Sequence, residues 1–501
     1  MVQSLVLSSA VLDRAAGALL GLAVGDALGA GYEFTTPAPD VSIAMIGGGV
    51  GGFAPGEWTD DTAQAVGIAE VTATGRVDTL AIGQRFLDWC HDGPKDVGVS
   101  TRAVLSGARD PAELPALAAE YHVQHPNAAA GNGSLMRTAA VALAHLGDDD
   151  AIAEAATAVS AITHGDPLAG EACVLWCIAI DRAVREARLD GLRDGLALLP
   201  WDRADFWRAR IDEAETRAPA SFTPNGFVVT ALQAAHAAIA QTPVPDDGPP
   251  CRHLQDALEA AVRIGHDTDT VAAIAGQVLG ARWGASAVPA AWRGPLHGWP
   301  DSTAADLVRL GVLTARRGVP DELAWPEATT LLPWARNAEP TRVCVEVPGE
   351  LLGDAGGRLL AGNLPGLPGA VDRGADLVVS LCRVGRRDVP TQRTDGQPVE
   401  HLQAWLTDTD GPDDNPNLDF LVADLVATVR DRLAAGRTVY VHCVGAHSRT
   451  PLLVAALSAD LTGKPAAAAW EALRDVLPVE DHNRAFADLL QRLPANGEVP
   501  A

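Results

Sequence analysis

The spacing of apolar residues predicts helices through the first three fifths of the chain. Between residues 11 and 315, alanine-rich segments repeat apolar positions at intervals of three and four, and few segments alternate apolar and polar residues. The clearest helical segments are 152–162, 170–187, 226–240, 269–284 and 306–317. Glycine clusters at 47–56 and 127–134 interrupt this pattern and predict loops that can bring bare backbone close to a ligand. We therefore predict an all-α domain.

A different pattern begins near residue 340. Short β-branched segments that predict strands alternate with amphipathic segments that predict helices, which is typical of an α/β sheet. The strands are predicted at 341–347, 375–382 and 437–443, and the helices at 417–436 and 450–461. The stretch 316–342 contains four prolines and no long periodic run, which indicates a boundary. The predicted organisation is an all-α domain over 1–318, a linker over 319–339 and a small α/β domain over 340–501.

Length, charge and cysteine content narrow the class of protein. At 501 residues the chain is long for one hydrophobic core, which agrees with two domains. It carries 38 Lys and Arg against 64 Asp and Glu, a formal net charge of −26. A field of that sign repels nucleic-acid backbones and anionic membranes, so we expect neither as a general partner. Seven scattered cysteines, and the lack of a run of ~20 apolar residues, predict a soluble, cytoplasmic protein.

Two acidic clusters lie far apart in the chain, each directly before a helical segment. Their members are Thr59, Asp60 and Asp61, and Asp267, Asp269 and Thr270. Carboxylate and hydroxyl oxygens are hard ligands, which suit Mg²⁺, Mn²⁺ or Ca²⁺ better than zinc. The alternative is helix N-capping, because Thr and Asp before a helix accept hydrogen bonds from its first N–H groups. Capping needs only one such residue, and the surplus acids would repel one another without a cation, so a pair of ions is the hypothesis.

Five motifs occur in order through the predicted all-α domain. They are GALLGLAVGDALGAGYEF (17–34), WTDDTAQA (58–65), GNGSLMR (131–137), THGDPLAG (163–170) and GHDTDTVAAIAGQVLGARWG (265–284). With these motifs the chain resembles the ADP-ribosylglycohydrolases over residues 11–315. The resemblance implies an all-α bundle with a centre of two Mg²⁺ or Mn²⁺ ions, and it implies a substrate that is an ADP-ribosylated protein or a small ADP-ribose conjugate.

The resemblance also implies roles for individual residues. The implied metal ligands are Thr59, Asp60, Asp61, Asp267, Asp269 and Thr270, with Glu33 and Asp61 as catalytic carboxylates. The implied substrate-binding residues are Gly131, Asn132 and Gly133, which would cradle the diphosphate, and His164, which would border the ADP-ribose pocket. Plainer interpretations stay open: Glu33 as a solvated loop acid, the glycine loop as a turn, and His164 as a cap or a packed imidazole. His266 stands where many family members have glycine, so the pocket beside the metals is expected to differ.

The reaction that these residues would support is hydrolysis at the anomeric carbon of ribose. Such hydrolysis passes through an oxocarbenium-like state, so the site must orient the ribose hydroxyls and activate a water. Glu33 would act as general base or relay. The acceptor that carries ADP-ribose stays open between arginine, serine, a nucleic-acid end and a small metabolite.

The second constellation is VYVHCVGAHSRTP (439–451), which places Cys443 and Arg449 between a predicted strand and a predicted helix. A thiolate at a helix N-terminus is a good nucleophile, and the surrounding N–H groups and an arginine bind phosphate oxygens. Residues 340–495 thereby resemble the Cys-based phosphatases of the small dual-specificity type, and RLLAGNLPG (358–366) is similar to their edge-strand entry.

By that resemblance Cys443 is the nucleophile and Arg449 binds phosphate, while Ser448 or Thr450 steadies the thiolate at the phosphate site. The acidic segment 407–418 supplies the general acid, with Asp410 as first choice and Asp408 and Asp413 as alternatives. Ala446 stands where the family usually has glycine. If that position needs a positive φ, alanine strains the loop and phosphate binding is more secure than turnover.

Two hypotheses from different classes follow. The first is a bifunctional hydrolase that removes ADP-ribose at one site and a phosphoryl group from a phosphorylated substrate at the other. The second is a regulatory protein that binds ADP-ribose or phosphate, with one or both sites catalytically degenerate.

Overall fold

The computed structural model describes residues 7–331, 342–411, 413–481 and 483–493. Its first part is built from helices joined by loops and short 3₁₀ turns. The α-helices are α1 (Ser9–Gly29), α2 (Asp60–Thr72), α3 (Thr79–His91), α4 (Val99–Gly107), α5 (Leu114–Gln124), α6 (Ala139–Ala144), α7 (Asp149–Ser160), α8 (Pro167–Glu186), α9 (Trp201–Thr216), α10 (Val228–Gln241), α11 (His253–Arg263), α12 (Thr268–Trp283), α13 (Ala290–Arg293) and α14 (Ala304–Ala315). A two-stranded ribbon pairs β1 (His297–Gly298) with β2 (Ser302–Thr303). The helical fold predicted for this part is confirmed, and this ribbon is a small addition to it.

Helix α1 is the centre of the helical part because it is apolar on every side and almost completely buried. Glycines at every fourth position place a side-chain-free strip against α12. A Cβ on Gly25 would lie 2.1 Å from the Ala272 carbonyl oxygen. The contact is reciprocal, since a Cβ on Gly276 of α12 would lie 2.0 Å from the Gly21 carbonyl oxygen. The two main chains therefore touch, and we call this contact the glycine seam; its members are Gly17, Gly21, Gly25 and Gly29 of α1 with Gly276 and Gly280 of α12.

A five-stranded sheet with helices follows in the C-terminal part. The strands are β3 (Cys344–Glu346), β4 (Arg358–Asn363), β5 (Leu377–Ser380), β6 (Glu400–Gln403) and β7 (Thr438–Cys443), and the helices are α15 (Leu367–Asp372), α16 (Leu418–Ala434), α17 (Arg449–Thr462), α18 (Ala466–Leu473) and α19 (Arg484–Arg492). The strand order is β3-β4-β7-β5-β6, with β3 antiparallel to β4 and the other pairs parallel. The interpretation of 358–366 as an edge-strand entry is wrong, because β4 lies between β3 and β7.

The helical part and the sheet part pack directly on each other. Asn417 at the start of α16 donates hydrogen bonds to the Trp283 carbonyl oxygen at 2.6 Å and to Ser286 Oγ at 2.8 Å. Arg293 donates to the Gln403 carbonyl oxygen at 3.1 Å. Within the predicted linker, Trp325 is 2% exposed and packs edge-on against Trp405, with ring centroids 5.3 Å apart. This segment is therefore part of the interface.

Residues 332–341, which hold the remainder of that linker and the first residues of the predicted sheet domain, lie outside the described residues. Among the helices that the structure describes, none has both the length and the apolar character needed to span a bilayer.

Candidate active site

The buried carboxylate of Asp26 connects α1 to the beginning of α2. Its Oδ1 accepts a hydrogen bond from the Thr59 N–H at 3.0 Å. Its Oδ2 accepts from the Thr62 N–H at 3.0 Å and from Thr62 Oγ1 at 2.6 Å. Asp26 was not predicted from the sequence. It is a single acid within the apolar run of α1, so the hydrophobic pattern there predicts core packing, and only the rarity of buried carboxylates marks it.

The two acidic clusters that are distant in the chain meet in space. One group combines Asp26, Asp61 and Asp269, and a second combines Glu33, Asp267 and Asp269. Within each group, one oxygen of every carboxylate lies within 4.8 Å of the others, so each group can offer three ligands to one ion. Asp269 belongs to both groups. Thr270 Oγ1, 3.4 Å from Asp61 Oδ2, adds a hydroxyl between the two clusters.

The electrostatics of the groups favour cation binding over capping. Burial, followed by the charges of Asp26 and neighbouring acids, raises the pKa of Asp61 well above its ordinary value. Burial and like charges do the same to the pKa values of Asp60 and Asp269. Asp61 Oδ1 is buried and accepts no hydrogen bond within the described part of the chain. A divalent ion would supply the missing partner and neutralise the repulsion.

Capping accounts for only part of the arrangement. Thr59 is the N-cap residue of α2, and its Oγ1 accepts a hydrogen bond from the Asp61 N–H at 3.5 Å. Asp267 occupies the N-cap position of α12, but its side chain makes no capping hydrogen bond. Its Oδ2 accepts instead from Asn132 Nδ2 at 2.7 Å. Asp267 is thus held in the acidic centre by the glycine loop, which the capping alternative does not explain.

Asn132 is the connecting residue of the loop formed by Gly131, Asn132 and Gly133. Besides Asp267, it donates to the Asn225 carbonyl oxygen at 3.1 Å. Asn225 in turn accepts from the Asp267 N–H at 3.0 Å through its own Oδ1. The sequence analysis missed Asn225, which lies in a loop before α10 and has no motif around it. The loop therefore positions a predicted metal ligand; its contact with a diphosphate stays a prediction.

His164 packs beneath this loop. A Cβ on Gly133 would lie 3.2 Å from His164 Nε2, so larger residues than glycine do not fit there without a shift. Thr163 Oγ1 lies 2.8 Å from His164 Nδ1 and accepts a hydrogen bond from Arg137 at 2.6 Å. The Thr163 hydroxyl thus connects the His164 ring to the Arg137 guanidinium. Burial lowers the pKa of His164 to about 3, so the ring is neutral.

A buried chain of hydrogen bonds leads from Arg137 through Gln64 to Asp60. Gln64 donates to Asp60 Oδ2 at 3.1 Å and accepts a hydrogen bond from Arg137. The Arg137 guanidinium is fully buried and lies 4.3 Å from the centre of the Phe86 ring. Arg137 was quoted in the sequence motif GNGSLMR, but its role could not be inferred without the distance to α2.

Glu33 is half-buried at the end of the first motif, beside Asp267 and Asp269. Burial, followed by the negative charges of Asp267 and Asp96, raises the pKa of Glu33 to about 7. The structure thus places it in the acidic centre and not in a solvated loop. His266, next to Asp267, has φ of 64°, and its N–H and carbonyl oxygen pair with Thr35 and Phe34 directly after Glu33. The residue that departs from the family's glycine therefore adopts a conformation that glycine prefers.

Comparison with known proteins agrees with this geometry. A model of the family described as ADP-ribosylglycohydrolase matches residues 7–320. The chain belongs to the ADP-ribosylglycohydrolase family. The family's members are glycohydrolases, and the prediction that the chain is an enzyme of this class is confirmed. The matched region ends before β3, so the five-stranded sheet lies outside it.

Two relatives share this region of the family. An ADP-ribosylarginine hydrolase, Tri1, of Pseudomonas putida (strain GB-1) is 31% identical over 293 residues, which are 56% of this chain and 73% of the relative. An ADP-ribosyl-dinitrogen reductase glycohydrolase of Rhodospirillum rubrum is 31% identical over 288 residues, which are 56% of this chain and 90% of the relative. A solved structure described as an ADP-ribosylglycohydrolase-related protein complex aligns with a TM-score of 0.49 and 31% identity, over 62% of this chain and 99% of that chain.

In the sheet part, the segment between β7 and α17 directly follows Cys443, and we call it the Cys443 loop. Cys443 is the last residue of the central strand β7 and is buried. The Ala446 N–H donates to Cys443 Sγ at 3.3 Å. Ala446 has φ of 65°, so the position does require the left-handed region, and alanine is strained there.

The polar residues of this loop contact partners other than the thiol. Ser448 donates to Asp408, and Thr450 Oγ1 donates to the Gly362 carbonyl oxygen at 3.1 Å. Neither hydroxyl is thus directed at Cys443 in this structure. Arg449 donates to the carbonyl oxygens of Leu381 at 3.3 Å and Leu406 at 3.1 Å.

Asp410, the first choice for the general acid, has a hydrogen-bond partner outside the Cys443 loop, and its catalytic role stays a prediction. Asp410 is exposed, and its carboxylate accepts a hydrogen bond from the Arg484 N–H at 2.7 Å, at the beginning of α19. The carboxylate that reaches the loop is Asp408, which contacts Ser448 and lies 3.5 Å from Arg449 Nε. Asp408 was among the alternatives, and the spacing of the acids could not distinguish them.

Proposed function

We propose that the chain is a divalent-metal-dependent hydrolase that cleaves the ribosyl bond of ADP-ribosylated substrates. The observation that carries the proposal is the convergence of two carboxylate triplets that share Asp269. The proposed ligands are Asp26 together with Thr59, Asp60, Asp61, Asp267, Asp269 and Thr270, around two Mg²⁺ or Mn²⁺ ions. When bound, such ions supply positive charge that orients ribose hydroxyls and acidifies a water.

The chain's own residues divide the remaining work. Glu33, half-buried beside Asp267 and Asp269, is suited to take a proton from the attacking water and pass it on. Asn132 fixes the orientation of the Asp267 carboxylate through a 2.7 Å hydrogen bond. The Gly131–Gly133 backbone, backed by the neutral His164 ring, is the proposed cradle of the diphosphate, because glycine carries no side chain and lets phosphate oxygens approach the main chain closely.

We propose ADP-ribosylated arginine in a protein as the first substrate to test. Two relatives that are 31% identical to the chain are named for arginine-linked ADP-ribose or for dinitrogen reductase. An arginine conjugate leaves a guanidinium after cleavage. The acidic centre, with a net charge of −26 on the whole chain, favours the approach of a cationic acceptor side chain.

The test measures release of ADP-ribose from ADP-ribosylated arginine with and without Mg²⁺ or Mn²⁺. Asp267→Asn should lower turnover by at least ~100-fold, because it removes a charged ligand of the ion and the carboxylate that Asn132 orients. The matched control is Asp256→Asn, an exposed acid in the first turn of α11 that should leave turnover unchanged. Full activity of Asp267→Asn, or a melting temperature that metal does not raise, would overturn the proposal.

The alternative is a regulatory protein that binds ADP-ribose without hydrolysing it. The same experiment separates the two functions, because binding of ADP-ribose with no release from any conjugate would favour the alternative. Intact carboxylates in both triplets favour the enzyme.

We propose that residues 340–501 form a separate unit that binds phosphate at the Cys443 loop. We further propose that this unit hydrolyses phosphate esters as a phosphatase. Support comes from a thiol at the end of a parallel strand, directly before the helix α17, and from Asp408 at the loop. Turnover of p-nitrophenyl phosphate that is abolished in Cys443→Ser would establish the phosphatase. Turnover that survives Cys443→Ser would exclude the cysteine as nucleophile. We also propose that the protein is cytoplasmic.

A further inference from the structure

A cavity of about 430 Å³ lies between the helical part and the sheet part. Arg293 and Arg309 line it from the helical side, His401 and Trp405 from the sheet side, and Trp325 from the segment between them. Its lining includes none of the carboxylates of the two triplets, and neither Cys443 nor Arg449. The cavity is therefore a third site, and an inference about it does not depend on the proposed function.

The wall of the cavity is cationic in a strongly anionic chain. Arg293 is 8% exposed and Arg309 is 6% exposed. Arg293 Nε and Nη2, and Arg309 Nε, have no hydrogen-bond acceptor among the residues that the structure describes. The nearest carboxylate oxygens, on Asp424 and Asp306, lie 3.9 Å and 3.6 Å from the two guanidinium groups. Buried guanidinium N–H groups are nearly always paired, so two cationic side chains with unused donors lie at the wall of the cavity.

Two more arginines extend the positive surface to the cavity mouth. Arg383 lines the cavity and forms an ion pair with Asp321. Arg386 lines it at the surface, where it is exposed and forms no ion pair with a described carboxylate. Thr303 and Thr391 are also exposed at this border, so a ligand can enter from solvent. Among the described residues of the lining, the ionised carboxylate and guanidinium groups are four arginines and one aspartate, Asp306.

An aromatic wall stands beside these arginines. Trp325 and Trp405 pack edge to face with ring centroids 5.3 Å apart, and Arg383 lies 4.9 Å from the centre of the Trp325 ring. Trp325 Nε1 is buried and has no acceptor within the described part of the chain. An aromatic wall beside cationic side chains suits a flat heteroaromatic group that carries negative charge.

We propose that this cavity binds a small phosphorylated nucleoside, with its phosphate on Arg293 and Arg309 and its base against Trp325 and Trp405. Planar guanidinium groups are suited to bind phosphate oxygens, and tryptophan side chains are suited to pack against the base. A cavity of about 430 Å³ lies within the range of small-ligand sites, roughly 300–1,000 Å³. Because both parts of the chain line the cavity, the ligand would bridge them.

The test is calorimetric titration of the full chain with adenosine monophosphate in the presence of EDTA, which removes divalent ions from the acidic centre. We expect saturable binding, and weaker binding of adenosine and of inorganic phosphate given separately. Arg309→Met should lower the affinity at least tenfold. Asp267→Asn and Cys443→Ser should bind adenosine monophosphate as the parent chain does, since neither residue lines the cavity.

An exposed pair of arginines provides a control that does not disturb the buried interface. Arg386→Glu should weaken binding severalfold, because Arg386 lines the mouth, whereas Arg387→Glu should not, because its neighbour Arg387 is exposed outside the lining. Equal effects of Arg386→Glu and Arg387→Glu would show general electrostatics and overturn the proposal. No heat of binding in the folded parent chain, or binding lost only in Cys443→Ser or Asp267→Asn, would also overturn it.

Discussion

The glycine seam makes a quantitative prediction for Gly276→Ala. A Cβ at this position would lie 2.0 Å from the Gly21 carbonyl oxygen and 2.6 Å from its carbonyl carbon. Side-chain Cβ atoms do not approach other heavy atoms closer than 3.0 Å, so α1 and α12 would have to separate by about 1 Å. The atoms in contact belong to the main chain, and no change of rotamer can relieve the overlap.

The expected cost follows from two opposing effects. Overpacking costs about 1–3 kcal/mol, and a main-chain clash belongs at the upper end of that range or above it. Alanine in place of a helix-interior glycine contributes about 1 kcal/mol in the other direction. The expected net loss is about 2 kcal/mol, which corresponds to a decrease in Tm of roughly 2–4 °C, because the entropy of unfolding is large for a unit of more than about 250 residues. Because Asp26 and Asp269 face each other across the seam, the affinity for Mn²⁺ should also fall, by about tenfold or more.

The assay is thermal unfolding with and without Mn²⁺, followed by a titration of Mn²⁺. Gly170→Ala is the matched control, since Gly170 also lies inside a helix and a Cβ there would meet Thr157 Cγ2 at an ordinary 3.7 Å. Gly170→Ala should keep or raise the Tm and leave Mn²⁺ binding unchanged. If Gly276→Ala and Gly170→Ala behave alike in both measurements, the seam does not set the position of the acids.

Three further predictions use single residues. Asp61→Asn should abolish the stabilisation by Mn²⁺ while raising the Tm measured in EDTA, because it removes one of several buried like charges. Asp13, buried far from the acidic centre, has its pKa raised by burial from 3.8 to about 6, so its contribution to stability is present below pH 4 and lost as pH rises through 6. Asp13→Asn should therefore gain about 3 kcal/mol relative to the parent between pH 4 and 7 in urea unfolding. His266→Gly should stabilise the chain by about 0.5–1 kcal/mol, because an exposed residue at φ of 64° is relieved of left-handed strain.

Each of these predictions has an outcome that would contradict it. An unchanged response of Asp61→Asn to Mn²⁺ would place the ion elsewhere. A constant difference between Asp13→Asn and the parent across pH 4–7 would show that the carboxyl titrates normally. For His266→Gly the control is Asp40→Gly, at an exposed loop position that lacks a positive φ, which should lose stability; a loss in both would remove the strain argument.

The sequence predicted most of the helical part because its helices carry their apolar pattern locally. The five clearest segments begin and end within three residues of the observed helices. Strand β6 (Glu400–Gln403) was missed, since EHLQ has little β-propensity and forms an edge strand only by parallel pairing with β5. The prolines of 316–342 indicated a boundary, but they could not show that Trp325 packs into the interface.

The candidate site was predictable to a similar degree. Motif order grouped acids from both clusters, and the structure brings Asp61, Asp267 and Asp269 of these together, because they lie at helix starts that the sequence makes visible. Asp26 was missed for the opposite reason: it lies inside an apolar helix, where the hydrophobic pattern conceals it. Asn225 acts through Asp267, and Gln64 joins Asp60 to Arg137; because Asp267 and Arg137 are distant from these residues in the chain, no local pattern encodes the contacts.

The position of Asp26 connects the packing of the core to the acidic centre. Gly25 presses its main chain against Ala272 of α12, and the next residue along α1 points about 100° further around the helix. That rotation turns the Asp26 carboxylate towards the beginning of α2, where the N–H groups of Thr59 and Thr62 hold it. The residues that let α1 and α12 touch therefore also set where Asp26 lies relative to Asp269. A change in the seam should affect metal binding and stability together, whereas a change at an exposed helix position should affect neither.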